Sequence, residues 1–221
     1  MLKFYHHPLS PIARRVWLAL LEKQIPFEAI VVDLKNRANL QPEYLAINPF
    51  HHVPVVVAGD LPIVESFAIL DYLEAQFPSP PLLPSAPAAI AQTKMVQMVV
   101  ANELMPKLPV FAMLEADASP DQAALDHVHT VMDFLTAQLG TADYFGGDRL
   151  SLADITAGAT LPLIRRLGLD LSAYPALTAW GDRLAARPAW QQTEPSADDL
   201  ALWQRWLTLM VKRRQQQMTR P

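Results

Sequence analysis

Apolar and polar positions at the start of the chain alternate in a pattern that predicts a small mixed α/β unit. Strand character appears at residues 2–6, 27–33, 53–58 and 61–64, and the last two runs flank Gly59-Asp60, a hairpin signal. Helical spacing of apolar residues appears at 11–24 and 66–77, with a short helix predicted around 43–47. The order strand–helix–strand followed by strand–strand–helix predicts one compact domain over residues 1–77.

A change of pattern after residue 77 predicts a linker and a second, all-helical domain. Residues 78–87 contain five prolines, which no helix or strand can cross, so we expect a stiff linker there. The second domain is predicted over residues 88–221. Helical periodicity covers 88–116, 120–139, 151–167, 175–187 and 198–214, with Pro106 and Pro109 expected to bend the first helix.

Composition excludes several classes of function. The formal charge is −4 with no dominant basic face, so neither nucleic-acid nor membrane binding is expected. There is no cysteine, which excludes a disulfide framework and a cysteine nucleophile. No metal is expected, because the adjacent His51 and His52 point apart in an extended chain and no acidic partner lies at ligand spacing. The chain has no membrane-length apolar run and no leader pattern, so we expect a cytoplasmic location.

The turn after the first strand holds the strongest candidate for chemistry. Ser10 stands at a helix N-cap position, and Pro11 at the first helical position, where its missing N–H costs no hydrogen bond. A hydroxyl is therefore expected at the positive end of a helix, with Arg14 and Arg15 in the first turns. This environment suits an anion such as a thiolate. Taken alone, a serine that only caps a helix explains the same residues.

Four segments resemble glutathione transferases of the serine type, in order and across essentially the whole chain. They are HPLSPIARRV, NPFHHVPVVV, ESFAILDYL and SLADI, which begin at residues 7, 48, 65 and 151. The resemblance implies a thioredoxin-like α/β domain joined to an all-helical domain. It also implies glutathione as co-substrate and conjugation of its thiolate to hydrophobic electrophiles, with peroxide reduction or isothiocyanate conjugation as related activities.

The resemblance also implies roles for residues of the first domain. Ser10 and Arg14 are the candidate catalytic residues, with the Ser10 hydroxyl donating a hydrogen bond to the sulfur. The expected glutathione-binding residues are Asn39, His52, Val53, Pro54, Glu65 and Ser66. A cis Val53–Pro54 bond is implied, which presents the backbone of Val53 to the peptide. In isolation, a strand-starting proline explains the first of these segments equally well, and an ordinary helix with Ser66 as its N-cap and Glu65 beside it explains the second.

Three positions near the expected site depart from the family pattern or compete with it. Asn39 stands where relatives often carry a cation for the glycyl carboxylate, so His51, Lys35 or Arg37 is an alternative there. Tyr5 is a competing hydroxyl, but relatives that use tyrosine carry it at the position of His6. Tyr5 is therefore expected to face the other side of the sheet. His6 is expected to be packed or solvated rather than to act as a general base.

Further predictions concern the second substrate, the partner and the second domain. An apolar pocket between the domains is expected to contain Leu9, Pro11, Ile12, Met105, Phe111 and Trp206. Phe50 matches an aromatic that enters a partner subunit in several relatives, so a two-fold homodimer and a loop aromatic covering its own domain both remain open. Ser151 and Asp154 form a capping-box pattern, and Asp154→Ala is expected to cost about 1 kcal/mol or more.

Two classes of function compete at this point. The first is an enzyme that conjugates glutathione, and the second is a non-enzymatic relative that uses the same fold to bind proteins. The joint presence of Ser10, Arg14, Val53-Pro54 and Glu65-Ser66 favours the enzyme, because a scaffold has no physical need for all of them.

Overall fold

A computed structural model describes residues 1–107, 122–166 and 168–218, and within the last helix it describes no side chain at residues 206, 207 and 210–218. The described residues form two compact units. The first contains Met1–Leu83 together with Arg187–Glu194, and the second contains the described parts of Pro84–Ala186 and Pro195–Pro221. The segment Arg187–Glu194 thus folds with the first unit, although it lies more than a hundred residues further along the chain.

The first unit is built on a four-stranded mixed sheet, as the sequence predicted. Its strands are β1 (Leu2–His6), β2 (Phe27–Val31), β3 (Val55–Ala58) and β4 (Leu61–Val64), in the order β2-β1-β3-β4. β1 pairs in parallel with β2, whereas β3 is antiparallel to both β1 and β4. The helices are α1 (Pro11–Glu22), α2 (Pro42–Leu45) and α3 (Ser66–Gln76), with a 3₁₀ turn at Ala38–Leu40.

The two faces of the sheet are set by the alternation of side chains along β1. Phe4 and His6 point to one face, where the His6 ring lies 4.8 Å from that of Trp17 on α1. Tyr5 points to the opposite face and meets Tyr44 of α2 edge-on, with ring centroids 6.1 Å apart. This alternation, which has a period of two residues in any strand, confirms that Tyr5 and His6 face opposite ways.

The bounds of α3 correct one prediction. The helix begins at Ser66, and the N-cap residue is Glu65, with φ of 67° and no side-chain cap hydrogen bond. Ser66 is therefore the first helical residue and not the N-cap. The one-residue difference arises because Glu65 adopts a left-handed backbone conformation that a sequence pattern does not reveal.

The described residues of the second unit form helices joined by turns, with one isolated β-bridge between Tyr144 and Gly147. The helices of this unit are α4 (Pro87–Val99), α5 (Gln122–Leu139), α6 (Leu152–Arg166), α7 (Pro175–Ala185) and α9 (Ala197–Met218). α4 continues as a π-helical stretch at Val100–Leu104 and a 3₁₀ turn at Met105–Lys107, which contains Pro106, one of the two prolines expected to bend this helix. Pro109, the other, lies outside the described residues. α6 is the central helix, since Leu152–Leu161 is buried on every side. None of the described helices is long and apolar enough to cross a bilayer.

Among the helices that the structure describes, one was not predicted. α8 (Pro188–Gln192) is five residues long, too short to show apolar periodicity, and it belongs to the first unit. The sequence signal for α8 is Pro188 at its first helical position. Proline is favoured there but also in turns, so this signal does not identify a helix.

Candidate active site

The pairing of the strands brings the predicted glutathione-binding segments to one edge of the sheet. His6 at the end of β1 pairs with Val31 at the end of β2. Val55 at the start of β3 pairs with Tyr5 and also with Val64, the last residue of β4. The segments after β1, β2 and β4, and the segment before β3, therefore meet at this edge. They contain Ser10, Asn39, Glu65-Ser66 and Val53-Pro54, respectively.

Ser10 caps α1, as predicted. It has an extended backbone, and its Oγ accepts a hydrogen bond from the Ala13 N–H at 3.2 Å. The turn before it is closed by the Ser10 N–H, which donates to the His7 carbonyl at 3.0 Å. A hydroxyl that accepts one hydrogen bond still carries its own hydrogen, which can be donated to another atom. Capping and donation to a sulfur are therefore compatible at Ser10.

The loop that leads to Val53 is braced by two buried polar side chains. Asn48 donates from Nδ2 to the His52 carbonyl at 2.8 Å and accepts the Phe50 N–H on Oδ1 at 3.0 Å. The Tyr44 hydroxyl donates to the same His52 carbonyl at 2.6 Å. The Val53–Pro54 peptide bond that follows is cis, as the resemblance implied. Two donors on one carbonyl fix the backbone at the point where it enters this bond.

Glu65 and Ser66 stand where β4 turns into α3. Glu65 is exposed and Ser66 is buried. A non-glycine residue with φ of 67° lies in the left-handed region, which costs on the order of 1–3 kcal/mol, and such residues are enriched at functional sites. The free N–H groups of the first turn of α3, an eleven-residue helix, are available to an anion beside these residues.

Asn39 takes part in the same braced loop. Its Nδ2 donates to the His51 carbonyl at 2.9 Å, so the side chain holds the backbone next to His52. The alternative cations Lys35 and Arg37 are exposed, and so is the His51 side chain. Within the described residues, no group of three or more His, Asp or Glu side chains is placed to hold a metal ion.

His6 is a packed side chain in this structure. It is 2% exposed, and its ring stacks on Phe4 with centroids 4.7 Å apart. Burial, with a smaller contribution from the charge of His7, lowers the pKa of His6 to about 4. The imidazole is therefore neutral at pH 7 and enclosed in the core between the sheet and α1.

Arg14 points its guanidinium at the segment Arg187–Glu194. It donates from Nε to Thr193 Oγ1 at 3.2 Å, and from Nη2 to Glu194 Oε2 at 2.8 Å and to the Trp190 carbonyl at 3.4 Å. The side chain is 3% exposed, and burial lowers its pKa to about 10, which leaves it charged at pH 7. Its charge is thus paired with a carboxylate.

The predicted electrophile-pocket residues are described only in part. Leu9, Pro11 and Ile12 surround the start of α1 next to Ser10, and Ile12 is 40% exposed. Met105 lies in the second unit, where its sulfur accepts a hydrogen bond from Thr160 at 3.5 Å. Phe111 lies outside the described residues, and so does the side chain of Trp206. The pocket stays a prediction.

Two groups of residues near the site were missed in the sequence. Tyr44 and Asn48 brace the His52 carbonyl, and the segment Arg187–Glu194 supplies the partners of Arg14. Asn48 is the first residue of the quoted NPFHHVP segment, so its position in that segment was an available signal. The partners of Arg14 had none, because a contact across about 180 residues leaves no trace in local periodicity.

Comparisons with known proteins identify the family. The model of the glutathione S-transferase N-terminal domain matches residues 4–81, and that of the C-terminal domain matches residues 88–188. The chain belongs to the glutathione S-transferase family. Glutathione S-transferase 3 of Zea mays is 36% identical over 208 residues, covering 87% of this chain and 92% of the relative.

Two solved structures are also similar to this chain in sequence and in fold. A glutathione S-transferase from Rhodospirillum rubrum F11 is 30% identical with a TM-score of 0.74, covering 89% of this chain and 93% of that one. A glutathione transferase homologue from Sulfitobacter, solved with bound glutathione, is 27% identical with a TM-score of 0.71, covering 88% and 97%. The predicted family, the two-domain fold and the interpretation as a transferase enzyme are confirmed, and the non-enzymatic alternative is set aside.

Proposed function

We propose that this glutathione-conjugating transferase uses the Ser10 hydroxyl to stabilise the thiolate of its co-substrate, which then attacks a hydrophobic electrophile. The observation that carries the proposal is the hydrogen bond from the Ala13 N–H to Ser10 Oγ. It leaves the hydroxyl hydrogen free to donate, and it fixes the oxygen at the N-terminus of the twelve-residue helix α1.

The energy needed is within reach of these groups. A free thiol has a pKa near 8.5, and the thiolate is the nucleophile. Lowering that pKa by about two units requires about 2.7 kcal/mol of preferential stabilisation of the anion. A hydrogen bond to an ionised acceptor contributes about 1.5–3 kcal/mol, and a helix N-terminus adds about 0.3–1 kcal/mol. Ser10 and α1 together supply this amount without any general base.

We propose that glutathione lies along the edge of the sheet where the predicted binding segments meet. The backbone of Val53, beside Pro54, pairs with the cysteinyl part of the peptide in the manner of an added strand. Ser66 and the first N–H groups of α3 bind the γ-glutamyl carboxylate, and Glu65 pairs with the ammonium. His52 and Asn39 border the glycyl end. The Sulfitobacter homologue, with its bound glutathione, supports the same co-substrate here.

The electrophile is expected to be apolar, since Leu9, Pro11 and Ile12 adjoin the Ser10 hydroxyl in sequence and carry no charge. Met105, Phe111 and Trp206 remain the other candidates for its pocket. Isothiocyanates, chlorinated nitrobenzenes and organic hydroperoxides are suitable test substrates of this chemical class. No metal is required by this mechanism, because a hydroxyl and a helix N-terminus stabilise the anion.

We also propose that the enzyme is a cytoplasmic two-fold homodimer. Phe50 supports the dimer, because it is 58% exposed at the tip of the loop that Asn48 braces, and such an exposed aromatic favours contact with a second copy.

The proposal is tested by substituting Ser10 in three ways. Ser10→Ala is expected to lower turnover by about ten- to a thousandfold, as the loss of one anion-stabilising donor does, while retention on immobilised glutathione persists. Ser10→Gly also removes the hydroxyl but costs only a few tenths of a kcal/mol as a helix cap. Ser10→Thr keeps both the hydroxyl and the cap.

The three variants separate catalysis from capping. Ser10→Ala and Ser10→Gly should lose turnover equally, and Ser10→Thr should keep most of it. A wild-type rate in Ser10→Gly would refute the role of the hydroxyl. Failure of the wild-type protein to bind glutathione or to react with a chlorinated nitrobenzene would refute the proposed chemistry altogether.

A further inference from the structure

Helix α1 is held at both ends by one short segment from the far end of the chain. At the C-terminal end of α1, Arg187 donates to Glu22 through two nitrogens, Nε to Oε1 at 2.9 Å and Nη2 to Oε2 at 2.5 Å. Near the N-terminal end, Arg14 donates to Thr193, Glu194 and the Trp190 carbonyl. Arg187–Glu194 also clusters with residues 1–83 into one compact unit. The segment therefore braces the helix that carries Ser10.

The arginine near the N-terminus is the more buried of the two, although its carboxylate partner Glu194, at 36% exposed, is more exposed than Glu22, at 11%. The Arg14 side chain is 3% exposed, against 31% for Arg187. Thr193 is itself 3% exposed, and its hydroxyl donates to the Ala189 carbonyl at 2.9 Å, so the acceptor for Arg14 Nε is fixed in place by the turn of α8. A buried planar guanidinium with three acceptors has little freedom to move.

Arg14 and Ser10 belong to the same turn of α1. The Arg14 N–H donates to the Ser10 carbonyl at 2.8 Å, while Ala13, its neighbour, donates to Ser10 Oγ at 3.2 Å. A displacement of Arg14 is thereby passed to the cap and to its hydroxyl. In addition, Glu194 neutralises the charge of Arg14, so the effect of Arg14 on an anion at Ser10 comes from placement more than from its charge.

We propose that Glu194 and Thr193 are positioning residues of the transferase site, which act through Arg14 to hold the Ser10 hydroxyl against the glutathione sulfur. Arg14 is accordingly a positioning residue rather than a thiolate ligand. The inference rests on the proposed role of Ser10, and it extends the site to a segment outside the amino-terminal family domain, which ends at residue 81. Misplacement of a reacting group by about 1 Å costs about a hundredfold in rate.

The test compares Glu194→Ala with Glu194→Gln and with Thr193→Val. Glu194→Ala removes the acceptor for Arg14 and should lower kcat by about ten- to a hundredfold, with a much smaller change in KM for glutathione. It should also move the pKa of the bound thiol, read from the ultraviolet absorbance of the thiolate, back toward the free value near 8.5. Glu194→Gln keeps an oxygen acceptor, so its kcat and the pKa of its bound thiol should lie close to the wild-type values. Thr193→Val should change kcat and the pKa of the bound thiol in the same direction as Glu194→Ala does, but by a smaller amount.

Glu74→Ala is the matched control. Glu74 accepts from the buried Lys23 ammonium at 2.8 Å in the same compact unit, the same length as the Arg14–Glu194 pair. Its loss should lower the melting temperature but leave the pKa of the bound thiol unchanged. Thr193→Val keeps the ion pair, so it provides a readout even if Glu194→Ala does not fold.

The outcomes separate this inference from the proposed function. Unchanged acidity of the bound thiol in both Glu194→Ala and Thr193→Val would overturn the inference and leave Ser10 untouched. Equal losses of kcat in Glu194→Gln and Glu194→Ala would also overturn the inference, since the charge of Glu194 and not the position of Arg14 would then matter. If the wild-type protein itself does not acidify bound glutathione, it is the role of Ser10 that fails.

Discussion

Removal of the Asp154 carboxylate should greatly lower the stability of the second unit. This carboxylate accepts four hydrogen bonds: Oδ1 from the Phe145 N–H at 2.9 Å and the Trp180 indole at 2.8 Å, and Oδ2 from the Ser151 N–H at 2.8 Å and the Ser151 hydroxyl at 2.7 Å. It is completely buried. The capping box predicted from the sequence is therefore one part of a larger buried cluster.

The magnitude follows from the donors that Asp154→Ala would leave behind. Two backbone N–H groups and one indole N–H would lose their acceptor, and the Ser151 hydroxyl alone can turn elsewhere. A buried donor without a partner costs about 1–3 kcal/mol, and such costs do not simply add among neighbours. We expect a loss of about 3–5 kcal/mol, well above the cost of about 1 kcal/mol for an ordinary cap. Asp154→Asn keeps one oxygen, and its free energy of unfolding should fall by about half as much.

Urea unfolding of the variants measures this difference, with an unchanged m-value as the sign that the folded and unfolded states keep their compactness. Asp170 provides the control. Its carboxylate also accepts two hydrogen bonds from a nearby serine, from the Ser172 N–H at 2.8 Å and the Ser172 hydroxyl at 2.7 Å, but it is exposed. Asp170→Ala should cost less than about 1 kcal/mol. If Asp154→Ala cost no more than Asp170→Ala, burial of the cluster would not be the source of its stability.

Three further predictions concern the first unit. Because the pKa of folded His6 is lowered to about 4, the unfolded chain takes up a proton below about pH 6.5 that the folded chain does not. Lowering the pH from 6.5 to 4 should therefore destabilise the wild-type protein more than His6→Phe, and equal slopes of unfolding free energy would contradict this. Tyr44→Phe removes one donor to the His52 carbonyl and should raise KM for glutathione about fivefold, a loss of about 1 kcal/mol, with kcat unchanged; a fall in kcat alone would count against it. Phe50→Ser should shift the sedimentation equilibrium toward monomer, and an unchanged mass would remove Phe50 from the proposed interface.

Local physics explains why much of the first unit could be predicted from its sequence. The strands alternate with a period of two, α1 has a serine cap followed by proline, and Gly59 provides the positive φ of 62° that the hairpin turn requires. Each of these signals lies within a few neighbouring residues. The role of Ser10 as a cap and the opposite facing of Tyr5 and His6 followed from the same kind of evidence.

Tertiary structure alone decided which charged side chains of the first unit pair with each other. The carboxylate that pairs with Arg14 belongs to Glu194, and the carboxylate that pairs with Lys23 belongs to Glu74, so the partner lies 180 residues away in one case and 51 in the other. The left-handed conformation of Glu65 and the four donors around Asp154 likewise depend on packing.

The sequence by itself determined the order of the elements over residues 1–77, the cap at Ser10 and the membership of the chain in its family, since short-range spacing and local segments carry that information. Only the folded chain decided that Arg14 turns to Glu194 and Thr193, and that Tyr44 and Asn48 share the His52 carbonyl. The physical reason is that a buried polar group takes whichever partner the completed core places within about 3 Å, and distance along the chain does not enter that choice.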